Sequence, residues 1–330
     1  MKRQTNRTFF AKILLFGEYS VIFNSMGLTI PYTYFSGSLN LPDEKKYTNL
    51  DFALKSNSDL RDYAAYLKQL FYEQSETIID FDRLENDLDN GLYFESTIPQ
   101  GYGLGSSGAL VAAIYDNYAL NPIEAKRNID KEKLSKLKTC FAQMESYFHG
   151  TSSGLDPLNS YMQYPLLIEN KNTIKTVNIP QNLDDKFAIF LINTGSTGKT
   201  EPLVKLFMNW SEQETFYKLL TEKLIHYNNQ SIQALISGHF NQFFHSLKEL
   251  SNFEYHHFRP MIPNGFRAVW YEGMENDAFQ LKLCGSGGGG FLLGFTKNYQ
   301  KAKRLLETFQ IDPITVYKKS KSMIFNNHPV

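Results

Sequence analysis

Apolar residues along this chain recur with two different periods, and the switches between them mark its elements. Leu110, Val111, Ile114, Tyr115 and Tyr118 fall at helical spacing and predict a helix with one apolar face. Leu134, Leu137, Phe141, Met144 and Phe148 predict a second helix, with Asp130 able to cap its start and His149-Gly150 suited to end it. Glu145 lands on the margin of that stripe, and a polar loop beyond it delivers Asp156 just before Pro157. Phe279, Leu281 and Leu283 alternate with Gln280 and Lys282 in strand period, and Phe291-Leu292-Leu293 restarts an extended run. The apolar core of Ala11 to Ile22 reads as a buried strand that Lys12 opens and Gly17-Glu18 close. Phe187 to Ile192 reads as another strand. Helices are expected over Glu201 to Trp210, Glu212 to Tyr227 and Ser231 to Leu247.

Two glycine runs interrupt these periods. Pro99-Gln100-Gly101-Tyr102-Gly103-Leu104-Gly105-Ser106-Ser107-Gly108 ends where the first helix begins. The first turn of a helix leaves amide groups unpartnered and carries partial positive charge, and glycines let a loop approach phosphate oxygens closely. Ser106 and Ser107 add hydroxyls that can cap the helix, touch phosphate or reach a metal ion. The second run, Gly285-Ser286-Gly287-Gly288-Gly289-Gly290, joins two strands with far more glycine than a hairpin needs. Bare backbone is therefore required there.

Taken in order, these segments resemble the motifs of the GHMP kinases, and among them those of mevalonate kinases. Lys12 to Glu18 is similar to the motif Lys-x-x-x-x-Gly-Glu, Pro99 to Ser107 to the loop that wraps the nucleotide triphosphate, and Lys282 to Gly290 to the third, glycine-rich motif. His149-Gly150-Thr151-Ser152-Ser153-Gly154-Leu155-Asp156 resembles the stretch carrying the catalytic aspartate. The resemblance implies an α+β, two-lobed fold with ATP in the cleft between lobes. It implies phosphorylation of the primary hydroxyl of mevalonate, with ATP and Mg²⁺ required. Asp156 would be the catalytic carboxylate and Lys12 its cationic partner. Pro99, Gly101, Gly103, Leu104, Gly105, Ser106, Ser107 and Gly108 would bind ATP, and Ser107 and Glu145 would hold Mg²⁺. Glu18, Tyr19, His149, Ser153, Gly154, Lys199, Thr200, Gly285, Gly287 and Gly288 would line the acceptor side, with Glu18 positioning Lys12 or the substrate.

The chain departs from the family at Tyr19, where His is usual, and at Gln100 and Tyr102, where Pro and Ala are usual. Ser152 replaces a common Pro, Pro157 a common Asn, and Cys284 and Ser286 replace Thr and Ala. Other acceptors within the superfamily stay open: phosphomevalonate, a sugar, or diphosphomevalonate for decarboxylation. A non-catalytic ATP-binding regulator would keep the glycine loops but not Asp156, Lys12 and Glu145. Asn193 to Thr200 imitates a Walker A loop, yet Asn193 stands where that motif needs its first glycine.

Composition narrows the classes further. The 330 residues, 42% hydrophobic, can build a substantial core, and 26 Phe with 20 Tyr predict aromatic packing. Lys+Arg and Asp+Glu both number 34, so charge offers no support for a nucleic-acid partner. No run reaches membrane-spanning length and no secretory h-region opens the chain, so a cytoplasmic location is expected, with a small-molecule partner and a homodimer as the candidate assembly. Cys140 and Cys284, without Cys-x-x-Cys spacing, read as small buried hydrophobes. The polar passage Glu169 to Lys186 suggests a boundary between domains over 1–168 and 187–330, and Lys318-Lys319-Ser320-Lys321 a solvated surface.

Overall fold

The structure is a computed structural model that describes residues 7–42, 49–73, 78–171, 173–180 and 187–318. Lys319 to Lys321, expected at the surface, lie outside the described residues. The chain forms two compact units that interleave along it: one holds Met1–Lys12, Pro31–Pro99 and Gly105–Tyr164, the other Ile13–Ile30, Gln100–Leu104 and Pro165–Val330. Strands β1 (Phe9–Phe16) and β2 (Gly27–Asn40) each pass from one unit to the other.

The first unit contains α1 (Leu50–Glu73), α2 (Phe81–Asp89), β3 (Tyr93–Ser96), α3 (Ser106–Tyr118), α4 (Lys131–His149) and α5 (Leu155–Met162). Residues Gly37–Asn40 of β2 pair antiparallel with β3. Helix α1 buries Leu60, Tyr63, Ala64, Leu67 and Phe71, one stripe at helical spacing. Helix α3 packs on α2, α4 and α5 and is buried on more than the one predicted face, because Ala109, Ala112 and Ala113 are covered too. Small residues let α5 approach closely. A Cβ at Gly108 would stand 2.7 Å from the backbone at Asp156 and Pro157, so only glycine allows this crossing. Helix α4 follows the expected stripe, the Asp130 carboxylate accepts from the Glu132 amide at its start, and Gly150 ends it with φ +70°. Cys140 is half-buried on α4 rather than fully covered.

Asp156 does not sit on a loop, as the sequence reading held, but in the first turn of α5. Pro157 is tolerated there because first-turn amides lack intrahelical partners, and an acidic side chain suits that end of a helix. Lys12 likewise lies within β1 rather than opening it, since the strand begins at Phe9. The Phe10 carbonyl accepts a bond from Ser160 Oγ of α5 at 2.9 Å, which ties β1 to that helix.

The second unit continues with β4 (Leu166–Asn170), β5 (Thr173–Thr176), β6 (Ala188–Asn193), α6 (Thr200–Ser211), α7 (Glu214–Leu219), α8 (Ile225–Ile236), α9 (Phe240–His257), α10 (Arg267–Glu275), β7 (Gln280–Leu283), β8 (Phe291–Thr296), α11 (Tyr299–Thr308) and β9 (Ile314–Lys318). The Gly27–Thr29 end of β2 pairs with β4, which pairs with β5. The passage from Glu169 onward thus carries strand as well as polar loop. A separate antiparallel sheet has the order β7-β8-β6-β9. Here Phe187, Phe190, Phe243, Phe244, Phe279 and Phe295 meet edge to face at centroid distances of 5.2–6.3 Å, the aromatic packing that composition predicted. Each such buried ring contributes about 1.5–3 kcal/mol by leaving water.

The helical run divides later than predicted. Residues 214–236 continue through a π turn at Leu220–Leu224, and the break falls at Gly238, whose φ of +72° lets the His239 amide reach the Ala234 carbonyl at 2.9 Å. The expected gap between Tyr227 and Ser231 is helix. Strand β7 also differs, for Gln280 and Lys282 are buried along with Leu281 and Leu283.

Candidate active site

In the first unit, β1, α3, α4 and α5 bring one chemical set together. Lys12 Nζ stands 3.0 Å from Asp156 Oδ1, the lysine nearly buried and the aspartate side chain 36% exposed. A lysine from mid-strand and an acid from a helix start meet because Gly108 draws α3 and α5 together beside β1. Gly105 precedes α3 with φ +74°, and no side chain caps that helix, so its first-turn amides have no hydroxyl competing for them.

Ser107 uses its hydroxyl elsewhere. It donates to Glu145 Oε1 at 3.0 Å and lies at hydrogen-bond distance, 3.1 Å, from His149 Nε2. Ser152 donates to the other carboxylate oxygen, Glu145 Oε2, at 2.5 Å, and accepts from the Gly154 amide at 3.0 Å. Ser152 stands where the resembled motif commonly has Pro, and its hydroxyl clamps Glu145. Ser153 accepts from the Leu155 amide at 3.4 Å, so it shapes the turn into α5. Burial and the nearby Asp156 charge push the Glu145 carboxyl up to about 7, against the pull of the two serines and Lys12. A carboxyl group with a hydroxyl at hydrogen-bond distance suits a hard dication with oxygen ligands, and a bound cation would hold that acid ionised. Among the described residues no group of three His, Cys, Asp or Glu forms a metal centre on its own.

In the second unit the two glycine runs meet. A Cβ on Gly290 would lie 3.1 Å from the Tyr102 backbone, and one on Gly103 would lie 3.4 Å from the Cys284 carbonyl. The Tyr102 and Phe291 rings pack with centroids 5.1 Å apart. Residues 194–200 join them: the Thr194 amide donates to the Gly290 carbonyl at 3.0 Å, the Gly290 amide to the Ser196 carbonyl at 2.6 Å, and Ser286 Oγ to Thr200 Oγ1 at 3.0 Å. Thr194, Ser196 and Thr200 of the Walker-like segment are thus engaged with the glycine turn. Strand β6 has antiparallel neighbours on both sides, unlike the parallel sheet that feeds a P-loop, and its following turn is spent on glycine-loop packing. Lys199 is exposed at the start of α6.

Glu18 takes a partner the sequence reading missed. It pairs with Lys282 at 2.5 Å rather than with Lys12, both side chains all but sealed from water. Tyr19 adopts φ +60°, a region L residues rarely use, and is held there by its ring between Phe207 and Phe258 and by its hydroxyl, which donates to the Ser286 carbonyl at 2.5 Å. Burial, with the Glu254 and Glu18 charges, pushes that phenol above its ordinary range and keeps it a donor.

Residues 66–163 match the family model for the GHMP kinases N terminal domain. A mevalonate kinase of Archaeoglobus fulgidus is 28% identical over 195 residues, 59% of this chain and 60% of that protein. Among solved structures, L. major mevalonate kinase in complex with R-mevalonate superposes with a TM-score of 0.63 at 17% identity, covering 96% of this chain and 97% of that one. Streptococcus pneumoniae phosphomevalonate kinase gives 0.62 at 13% identity, covering 93% and 97%. At these identities the structural likeness is one of fold. No helix among the described residues is long and apolar enough to cross a membrane.

Proposed function

We propose that this chain, a GHMP kinase by its N-terminal domain over residues 66–163, transfers the terminal phosphate of ATP to the primary hydroxyl of mevalonate, giving mevalonate 5-phosphate and ADP. The observation that carries this reading is the Lys12–Asp156 ion pair beside the Ser107–Glu145 hydrogen bond and the uncapped start of α3. Phosphoryl transfer needs alignment and neutralisation of spreading negative charge more than covalent chemistry. Asp156, partly open to solvent, would take the proton of the acceptor hydroxyl, and the Lys12 ammonium would favour the alkoxide as it develops. First-turn amides of α3 would hold phosphate oxygens. Ser107 and Glu145 would hold Mg²⁺, which supplies charge neutralisation across the phosphates.

Mevalonate is favoured by the stretch from His149 to Asp156 and by the likeness to the Archaeoglobus fulgidus protein. The fold likeness to Streptococcus pneumoniae phosphomevalonate kinase supports a second acceptor class, since one fold serves several acceptors. The test is ADP release from ATP and Mg²⁺ with mevalonate, phosphomevalonate and galactose in parallel. Turnover with mevalonate at a kcat/KM at least about 100-fold above the others is expected. Turnover with phosphomevalonate or galactose alone overturns the acceptor, and turnover with none overturns the kinase reading.

A further inference from the structure

We propose that Glu254 is a positioning residue for the nucleotide: by gripping the Leu283 amide beside the Glu18–Lys282 pair, it sets where the Gly285–Gly290 turn begins. The inference rests on the ATP-dependent reading and adds to it a residue that no motif contains. Glu254 lies on α9, which packs on β7, and is 2% exposed. Its Oε2 accepts from the Leu283 amide at 2.7 Å. Lys282 donates to Glu18 Oε2 at 2.5 Å and to the Leu283 carbonyl at 2.7 Å, and the Gly285 amide points to Glu18 Oε1 at 3.5 Å. Two buried carboxyls therefore tether residues 282, 283 and 285 in succession. The turn that follows packs on Tyr102 and Gly103, so a shift at Leu283 passes directly into residues 101–104 of the phosphate loop.

The charged and titratable groups facing Glu254 are the Lys282 ammonium from β7 and, beyond the end of β1, the Glu18 carboxylate and the Tyr19 phenol. One cation serves two acids. Burial is the main cause that pushes Glu254 up to about 8, with Lys282 opposing, Glu18 adding and the Leu283 amide opposing. Protonated, it leaves Lys282 to Glu18 and the cluster neutral. Ionised, it keeps the Leu283 amide but becomes a second buried anion competing for the same ammonium, which draws Lys282 away from Glu18 and the Leu283 carbonyl and loosens that part of the tether.

The experiment uses the full chain and its affinity for ATP with Mg²⁺, measured by calorimetry at pH 7 and pH 9. The wild type should bind about tenfold more weakly at pH 9, because one unit above a midpoint near 8 leaves about a tenth of the molecules protonated. Glu254→Gln keeps an acceptor for the Leu283 amide and cannot ionise, so its pH 9 to pH 7 ratio should stay within about twofold. Glu254→Ala should bind weakly at both pH values, with Gln rescuing it at pH 9. A wild type without the alkaline loss, or a Gln variant that shares it, overturns the proposal. Carbon NMR of the glutamate carboxyl signal that disappears in Glu254→Gln decides the protonation step without ligand: a midpoint near 8 supports it, and one below about 6 overturns it. A wild type that binds no ATP at pH 7 counts instead against the proposed function.

Discussion

The chain places a lysine with two carboxyl groups in two different settings. In the first unit Lys12 stands with Asp156 and Glu145, and in the second Lys282 stands with Glu18 and Glu254. Both sets hold one acid whose proton is retained toward neutral pH by burial. What separates them is water. The Asp156 side chain is 36% exposed beside an uncapped helix start, whereas the Glu18 and Lys282 side chains are 2% and 1% exposed. An acid that a substrate can reach is able to exchange a proton with it; an acid enclosed by aromatic rings and backbone can only hold geometry. Residue composition does not separate the proposed reactive cluster from the anchoring one, whereas exposure does.

Exchanging the charges one at a time tests this contrast. The largest effect is expected for Asp156→Asn, which should lower kcat by about 10³- to 10⁴-fold while ATP affinity changes by less than about threefold, in steady-state kinetics and calorimetry. Near-normal turnover would remove Asp156 from the chemistry.

Lys282→Met comes next, and it should act on stability. It leaves Glu18 buried without its cation, a loss of about 3–5 kcal/mol in denaturant unfolding, whereas Lys12→Met should shift stability by about 1 kcal/mol or less and abolish most turnover. Equal destabilisation by the two lysine variants would erase the distinction between the clusters. The smallest effect is expected for Tyr19→Phe, which keeps the ring between Phe207 and Phe258 but loses the bond to the Ser286 carbonyl. About 1 kcal/mol, read as a roughly fivefold weaker ATP affinity, is the expected cost. No change would mean that the ring packing alone holds the glycine turn.

Much of the candidate site's local structure was legible in the linear order of residues. Helical spacing announced α3 and α4, Asp130 and Gly150 marked the ends of α4, and the glycine runs announced turns that must come close to other backbone. The stripe of α1 was equally regular, and Leu60, Tyr63, Leu67 and Phe71 could have disclosed it. These features are local, because capping, periodicity and glycine conformation depend on neighbours within a few residues. The polar residues after Gly150 read as a loop carrying Asp156, whereas they turn into α5 at Leu155, where Pro157 is at home in the first turn.

Tertiary structure alone decided the rest. Lys282 alternates with apolar residues as a solvent-facing strand position would, yet its burial comes from an acid 264 positions earlier in the chain. Ser152 became a clamp on Glu145 only when the turn before α5 folded back on α4. Glu254 carries no motif, and its role appears only where α9 lies on β7. These partners, 7, 29 and 264 residues apart, leave no periodic trace, since the pattern along a strand or helix records which face is covered and not which group covers it.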